Sequence, residues 1–176
     1  MNQKTIYLAG GCYWGVEKFI SNLKGVLETT VGFANGHVEA PSYEQVKHTD
    51  TGHAETVRVV YDADVMPLPL LLDLFYKIID PTTVDQQGED IGNQYRTGVY
   101  FTEAEDGEIV AASVKKLAEG YDVPLALEVC PLESFWDAEE YHQKYLDKNP
   151  TGYCHVPLDM INWAKTVDPE SYKGEN

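Results

Sequence analysis

The sequence predicts an α+β fold in which helices pack on a mixed, largely antiparallel sheet. Segments in which apolar and polar residues alternate indicate strands, and segments with apolar residues three and four positions apart indicate helices. These segments follow each other in the order β-α-β-β-α-β-α-β-α, with one early hairpin. The hairpin argues against a doubly wound parallel sheet, and the sequence contains no Gly-x-Gly-x-x-Gly or P-loop segment.

Turn residues set the element boundaries in the first half of the chain. Asn35-Gly36 is a strong turn signal and closes the second predicted strand. Asp80-Pro81 ends the second predicted helix, because proline lacks the amide hydrogen that a continuing helix needs. The predicted elements here are a strand at 5–9, a helix beginning at 16–20, a strand at 26–33, an ordered loop at 37–53, a strand at 54–61 and a helix from Pro67 to Ile78.

The second half is predicted to add two strands and two helices before an irregular end. The last helix would bring His142 and Tyr145 together on an apolar face, because they lie three residues apart. We expect one domain over residues 1–176, with its core at 4–148 and a long irregular C-terminal tail at 149–176. The predicted elements are a loop at 81–94, a strand at 95–102, a helix at 103–120, a strand at 125–130 and a helix at 133–148.

Composition excludes several classes of function. The chain has 29 acidic and 13 basic residues, which argues against nucleic acid and anionic membranes as partners, since phosphate binding requires clustered Lys and Arg. No apolar run is long enough to span a membrane and residues 1–4 do not begin a signal peptide, so we expect a cytoplasmic protein. The cysteines at 12, 130 and 154 are too dispersed for a disulfide-stapled secreted domain. No Cys-x-x-Cys or His-Glu-x-x-His motif is present, so no metal site is expected.

The segment Gly10-Gly11-Cys12-Tyr13-Trp14-Gly15 is the strongest functional signal. It places a cysteine where an apolar strand meets a helix, so that the sulfur would face the positive end of the helix dipole and unpaired amide groups. Both effects favour the thiolate, which is the nucleophilic form. Tyr13 and Trp14 would supply apolar walls, and the glycines would let a substrate approach closely. The alternative interpretation is that Cys12 is a buried core thiol.

Two other stretches hold groups that could act with this thiol. Glu55 shares a strand face with Val57, and if that face is the core side, desolvation would raise its pKa and make it a proton donor near neutrality. The alternative for Glu55 is a solvent-facing strand end. Asp90 and Tyr95 belong to a polar, glycine-containing loop and to the start of the following strand, so both could emerge at the rim of a site. The alternative for this loop is an ordinary surface turn.

The last third of the chain contributes further candidates. A histidine on an apolar helix face is usually a hydrogen-bonded core group, so we expect His142 to be structural and Tyr145 to offer a hydroxyl. Cys154 follows the turn-rich segment 149–153, which we expect to be mobile and able to carry the thiol to an oxidised sulfur. Cys130 ends an apolar strand and is expected to fill the core.

Several separate motifs occur in one order along the chain: Gly11-Cys12-Tyr13-Trp14-Gly15, Gly52-His53-Ala54-Glu55, Asp80-Pro81-Thr82, Gln87-Gly88, Asp90-Ile91-Gly92, Gln94-Tyr95-Arg96, Glu140-Tyr141-His142-Gln143, Tyr145-Leu146 and Asn149-Pro150-Thr151-Gly152-Tyr153-Cys154. Together they resemble the motifs of the A-type peptide methionine sulfoxide reductase family, over about residues 5–156. The resemblance implies a two-layer, ferredoxin-like core. It also implies an oxidoreductase that repairs oxidised proteins by reducing methionine-S-sulfoxide, free or protein-bound.

Carried over residue by residue, the resemblance implies a role for each candidate. Cys12 is the nucleophile, Glu55 protonates or hydrogen-bonds the sulfoxide oxygen, and Cys154 is the resolving thiol. The reaction would pass through a Cys12 sulfenic acid and a Cys12–Cys154 disulfide, which thioredoxin or another dithiol reduces. No bound cofactor or metal is required, and we expect a monomer. The implied substrate-binding residues are Tyr13, Trp14, Tyr43, Asp90, Tyr95 and Tyr145.

Two features depart from the family pattern, and two other functions fit the residues alone. Tyr13 stands where the family usually has Phe, and no cysteine follows Cys154, so we expect a single intramolecular disulfide step. A cysteine hydrolase or acyltransferase would use Cys12 with His53 as its base. A non-enzymatic acidic binding module would instead hold the Met side chains of partner proteins between Tyr13 and Trp14.

Overall fold

Eight strands occur among residues 1–171, which are the residues that the computed structural model describes. The strands are β1 (Gln3–Gly10), β2 (Val26–Ala34), β3 (Ala54–Asp62), β4 (Gln86–Gln87), β5 (Asp90–Ile91), β6 (Thr97–Phe101), β7 (Glu128–Pro131) and β8 (Phe135–Asp137). Six of them form one sheet in the order β7-β6-β1-β3-β2-β8, and β4 and β5 pair as a separate short hairpin.

The six-stranded sheet is mixed and largely antiparallel, as the sequence predicts. Only β6 and β7 run parallel, whereas the other neighbouring strands are antiparallel. The finer description as a two-layer, ferredoxin-like core stays a prediction. β3 pairs with β1 in a register that sets Val57 opposite Leu8. The beginning of β3, with Glu55, therefore lies at the same end of the sheet as the end of β1, where Cys12 follows.

Six α-helices accompany the strands in the described residues. They are α1 (Tyr13–Ser21), α2 (Tyr43–His48), α3 (Leu68–Tyr76), α4 (Ala104–Ala118), α5 (Tyr145–Lys148) and α6 (Leu158–Ala164). Val16, Phe19 and Ile20 of α1 are fully buried in one core cluster with Ile6 and Leu8 of β1. Each such side chain stabilises the fold by about 1.5–3 kcal/mol, so the helix that follows Cys12 is firmly anchored. Within residues 1–171, no helix has the length and apolar character needed to cross a membrane.

The predicted helix at 133–148 is wrong. The chain is extended at Phe135–Asp137 as β8, turns once as a 3₁₀ helix at Glu140–His142, and is α-helical only in α5. Helical apolar spacing is overridden here because one side of β2 would otherwise have unpaired backbone groups, and β8 pairs with that side as the edge strand. Just after β8, the Ala138 amide donates to the Val31 carbonyl at 3.0 Å. The Gln143 side chain then accepts from the Val31 amide at 2.8 Å.

Four other sequence predictions need correction. The ordered loop at 37–53 contains α2, whose Ser42 side chain accepts from the Gln45 amide at 3.2 Å in a capping box, a signal that the sequence carries. The loop at 81–94 contains the β4–β5 hairpin. Tyr95 ends a 3₁₀ turn and does not begin β6. The C-terminal tail is not irregular throughout, because α6 buries Ile161 and Ala164 in the main core, while residues 172–176 lie outside the described residues.

Candidate active site

Cys12 lies at the junction that the sequence predicts, as the residue before α1 and after β1. The glycines around it allow close packing of other segments. Gly11 has a φ of +86°, and a Cβ there would stand 2.7 Å from the Gln87 Cβ. A Cβ on Gly15 would stand 2.9 Å from the Cys154 Sγ. The turn therefore brings the β4–β5 hairpin and the second candidate cysteine onto the two sides of Cys12.

The Cys12 thiol is buried, and this reverses the sequence expectation that its position favours the thiolate. Its exposed fraction is 7%. Burial raises the pKa of Cys12 well above its ordinary value, and the nearby charge of Glu55 raises it further. The Trp14 backbone amide acts in the opposite direction, as expected at a helix N-terminus, but it is the smaller contribution. In the free protein Cys12 is consequently a thiol, because desolvation outweighs the helix end.

Glu55 is a buried acid beside this thiol. Its exposed fraction is 2%, and its Oε1 accepts a hydrogen bond from the Tyr13 amide at 3.3 Å. Burial raises the pKa of Glu55 to about 8, with Asp90 contributing in the same direction. The carboxyl group therefore holds its proton at neutral pH, as the sequence predicts for a desolvated position. Because Oε1 accepts from the backbone, Oε2 is left to carry that proton.

Half-buried aromatic rings form a wall above the Cys12 turn. Trp14 and Tyr145 stack with ring centroids 3.8 Å apart, and Tyr43 lies 6.4 Å from Trp14. His142 orients this wall, since its Nδ1 accepts from the Trp14 indole Nε1 at 3.1 Å and its ring lies 4.3 Å from that of Tyr43. The sequence expectation that His142 is a hydrogen-bonded, buried residue is confirmed. An apolar methyl group would fit against such a surface.

Tyr145 owes its position to a buried acid that the sequence reasoning missed. Glu17 on α1 has an exposed fraction of 2%, and its Oε1 accepts from the Lys144 backbone amide at 2.7 Å. The Lys144 ammonium group bonds to the other oxygen of the same carboxylate at 3.3 Å. Lys144 has a φ of +52°, an uncommon value for a residue with a side chain. Glu17 therefore fixes the turn that delivers Tyr145 to Trp14.

Tyr13 lies beneath the wall. Its exposed fraction is 1%, and its ring packs against those of Phe33, Tyr43 and His142 at centroid distances of 5.8, 6.5 and 5.8 Å. The Tyr13 hydroxyl is buried and has no hydrogen-bond partner among residues 1–171. The hydroxyl that distinguishes Tyr13 from Phe is thus placed in the interior, where it lowers the free energy of unfolding.

We expect Tyr13→Phe to stabilise the protein by about 1 kcal/mol, because it removes a buried polar group that lacks a partner. Urea unfolding measures this as a higher midpoint at an unchanged slope. Tyr76→Phe is the matched control with the opposite sign, since the Tyr76 hydroxyl accepts from Ser113 at 3.0 Å. A loss of stability in Tyr13→Phe would show that its hydroxyl does have a partner.

A hydrogen bond joins Asp90 of the β4–β5 hairpin to the residue before Cys154. The Tyr153 hydroxyl donates to the Asp90 Oδ2 at 2.9 Å. Asp90 raises the pKa values of Cys12 and Glu55 electrostatically, after the larger effect of burial. Burial raises the pKa of Tyr95, and the charges of Glu55, Asp90 and Cys12 also act on it, so the structure brings these groups together. Sequence reasoning missed Tyr153, although it directly precedes Cys154.

Cys154 is packed against the Cys12 turn, and the expected mobility of segment 149–153 stays a prediction. It is half-buried, it joins the rim of the main core cluster, and its thiol donates to the Val156 carbonyl at 3.2 Å. Its charge acts on Cys12, so the two sulfurs lie in one site despite their distance along the chain. Both cysteines are free thiols. One side of Cys154 faces an open cavity of about 450 Å³ that Leu146 and Ile161 also line.

The remaining candidates from the sequence lie outside this site. His53 is fully buried, its Nδ1 accepts from the Gly36 amide at 3.0 Å, and its Nε2 bonds to the Val38 carbonyl at 2.7 Å. Both ring nitrogens are thus occupied in shaping the loop after β2, so His53 is not oriented toward a thiol as a cysteine hydrolase would require. Cys130 is half-buried beside Asn35 and packs at the rim of a second buried cluster that contains Ala34 and Tyr100, so the expectation that it fills the core is confirmed only in part. Within residues 1–171, no three His, Cys, Asp or Glu residues are grouped for a metal ion.

Comparisons with known proteins agree with this geometry. A family model described as peptide methionine sulfoxide reductase matches residues 4–171. The peptide methionine sulfoxide reductase MsrA of Lachnoclostridium phytofermentans is 58% identical over 93% of this chain and 99% of its own. The crystal structure of reduced Mxr1 from Saccharomyces cerevisiae superposes with a TM-score of 0.83 at 38% identity, covering 89% of this chain and 92% of that one.

A second yeast structure bears on the reductant. Mxr1 from Saccharomyces cerevisiae in complex with Trx2 matches with a TM-score of 0.60 at 27% identity, over 82% of this chain and 85% of that one. The family match includes Cys12, Glu55 and Cys154, and the identity to the curated relative extends over most of the chain. The chain therefore belongs to the A-type peptide methionine sulfoxide reductases, the enzymes that reduce methionine sulfoxide.

Proposed function

We propose that this enzyme reduces methionine-S-sulfoxide through a sulfenic acid on Cys12 and a Cys12–Cys154 disulfide, and that a thioredoxin-like protein recycles it. One observation carries the proposal: a buried thiol, a buried carboxyl group that holds its proton at neutral pH, and a second thiol meet under an aromatic wall. Each of these groups has a task in the balanced reaction. The substrate-binding roles of Tyr13, Trp14, Tyr43, Asp90, Tyr95 and Tyr145 belong to the same proposal.

In the first step, the substrate's methyl group lies against Trp14 and Tyr145, and the sulfoxide oxygen points toward Glu55. The Cys12 sulfur attacks and gives two electrons to the methionine sulfur, while the oxygen is transferred to Cys12. Glu55 gives its proton to this oxygen as charge develops there and takes up the proton that leaves the Cys12 thiol. The products are methionine and a Cys12 sulfenic acid, so all atoms and electrons balance.

The raised pKa of Cys12 in the free protein is compatible with this step. The charge of Glu55 is one cause of the raised pKa, and that charge is absent while the carboxyl group holds its proton. A bound sulfoxide brings a positively polarised sulfur to the thiol and hydrogen-bond acceptors to the acid. The Cys12 thiol therefore loses its proton only when substrate is bound, and without substrate it stays in the unreactive thiol form.

In the second step, Cys154 attacks the Cys12 sulfenic acid, the S–O bond breaks, and water leaves as the disulfide forms. The reductant then attacks the disulfide. Cys154 is the sulfur open to it, since it borders the 450 Å³ cavity whereas Cys12 is buried. The Trx2 complex of the yeast relative supports a thioredoxin-like reductant. The absence of a bound cofactor, the monomeric state and the cytoplasmic location stay predictions.

The test is a mass measurement on the intact enzyme after one equivalent of methionine sulfoxide is added without reductant. We expect a loss of two hydrogen atoms, mapped by peptide analysis to Cys12 and Cys154, together with about one equivalent of methionine. Cys154→Ser is the control: it should still release about one equivalent but stop with Cys12 oxidised, and multiple turnover with thioredoxin should collapse. Normal steady-state rates in Cys154→Ser would reject the resolving role.

A further inference from the structure

His155 stands directly after the resolving cysteine, and its imidazole ring lies over the turn that holds Cys12. Its Nε2 is 3.5 Å from the point that a Gly11 Cβ would occupy. Its Nδ1 is 3.5 Å from the corresponding point at Gly15, and the Cys154 Sγ is 2.9 Å from that same point. The ring therefore bridges the two glycines that flank Cys12 and shares the hollow over Gly15 with the Cys154 sulfur.

The two ring nitrogens of His155 are buried, and neither makes a well-formed hydrogen bond among residues 1–171. Such groups are rare, because a buried polar atom without a partner costs stability. Burial lowers the pKa of His155, although Asp90 and the Gly10 carbonyl favour the charged ring. His155 is accordingly a neutral imidazole. The Gly10 carbonyl lies where it can accept from the one N–H of the ring, and the other ring nitrogen keeps a free lone pair on the Cys154 side of the Cys12 turn.

The resolving step needs a group that accepts the proton of the Cys154 thiol. Cys154 must lose its proton to attack, and the oxygen on Cys12 must gain one to leave as water. Burial raises the pKa of the Cys154 thiol, which makes spontaneous loss of the proton less favourable. The Cys154 thiol donates to the Val156 carbonyl, and a carbonyl oxygen does not take up the proton. Glu55 ends the first step protonated, so it cannot accept this proton.

We infer that His155 is the proton carrier of the resolving step. The imidazole accepts the proton of the Cys154 thiol as the S–S bond forms, and it delivers a proton to the hydroxide that leaves Cys12. One thiol and one sulfenic acid give one disulfide and one water, and His155 returns to its neutral form. This inference rests on the proposed disulfide mechanism and adds a catalytic residue to it.

The groups that surround His155 suit this exchange. Asp90 approaches from β5 and stabilises the imidazolium while it exists. Cys154, from the segment of His155 itself, shares the hollow over Gly15 with the ring, and Cys12 belongs to the turn between Gly11 and Gly15. The Tyr153 hydroxyl is bonded to Asp90, so it does not compete for the ring. A neutral imidazole beside a single carboxylate is the arrangement that general base catalysis uses.

The test is a rapid-quench single turnover of the full-length enzyme with methionine sulfoxide. Methionine release and the loss of free thiols are followed separately, and the ratio of the two rate constants is the readout. In His155→Gln we expect disulfide formation to slow about 100-fold relative to methionine release. The control His48→Gln, an exposed histidine on α2, should leave the ratio as in the wild type. Imidazole added to His155→Ala should restore the lost rate.

The outcomes separate this inference from the mechanism on which it rests. An unchanged ratio in His155→Gln overturns the inference and leaves the disulfide mechanism intact. Equal slowing of both phases, with no rescue of His155→Ala by imidazole, also overturns it, because His155 would then act only in packing. A wild-type enzyme that releases methionine without forming the Cys12–Cys154 disulfide refutes the proposed function itself.

Discussion

Serine in place of Cys12 is expected to abolish methionine sulfoxide reduction, with a loss of at least about 10³-fold in kcat/KM, because the substitution removes the sulfur that attacks the sulfoxide and takes its oxygen. The serine hydroxyl is a far weaker nucleophile than a thiol and does not form the oxidised intermediate. Because the two side chains are nearly the same size, Cys12→Ser should retain the fold. The measurement is methionine release by chromatography, with dithiothreitol as the reductant.

The matched control for this variant is Cys130→Ser. Cys130 is also a partly buried free thiol, but it lies on the edge strand β7 and packs against a buried cluster that is separate from the main core. Its replacement should leave the rate within about twofold, as is usual for substitutions outside such a site. Retained turnover in Cys12→Ser would contradict the assignment of the nucleophile.

The sequence predicted Cys12 and Glu55 because both signals are local. A cysteine between glycines, at the change from strand to helix, and a carboxylate on an apolar strand face are patterns within a few residues. Cys12 and Glu55 lie side by side because of the register in which β1 pairs with β3. The order of the elements suggests this pairing but does not specify the register. Glu17 could not be predicted in this way, since it acts on Lys144, far along the chain.

The prediction of a helix at 133–148 is wrong for a related physical reason. Residues 133–148 have apolar residues at helical spacing, but the edge of β2 needed backbone partners, and β8 supplies them. Local periodicity carries no information on an unpaired strand edge elsewhere in the chain. Tyr145 still reaches Trp14, through a turn and α5 in place of a long helix.

The charge state of Cys12 shows how two effects compete at one atom. The helix end and its amide groups lower the pKa of a thiol, and this was the basis of the sequence expectation. Burial and the neighbouring acid raise it, and in the free protein they prevail. Sequence position reveals the first effect but not the depth at which the sulfur is buried. The reactivity of this thiol therefore depends on what occupies the site.

Replacing Glu55 by Gln is expected to lower kcat/KM by about 10²–10³-fold, because the amide can donate a hydrogen bond to the sulfoxide oxygen but cannot transfer a proton. The pH profile should change with it. The pKa of Glu55 is about 8, so the acid form is present below that value and is lost as the pH rises through it. Wild-type kcat/KM should therefore fall above about pH 8, whereas Glu55→Gln should lack this decline.

The pH dependence of the free energy of unfolding gives a second, independent measurement of the protonation of Glu55. The folded pKa of about 8 lies above the ordinary value of 4.5, so between these values the folded state binds more protons than the unfolded state. The free energy of unfolding should therefore decrease as the pH rises from 4.5 to 8, and Glu55→Gln should show less of this decrease. The exposed Glu105→Gln on α4 serves as the control and should follow the wild type. A Glu55→Gln variant that kept the wild-type dependence of both rate and stability would show that Glu55 holds no proton at neutral pH and is not the acid of the reaction.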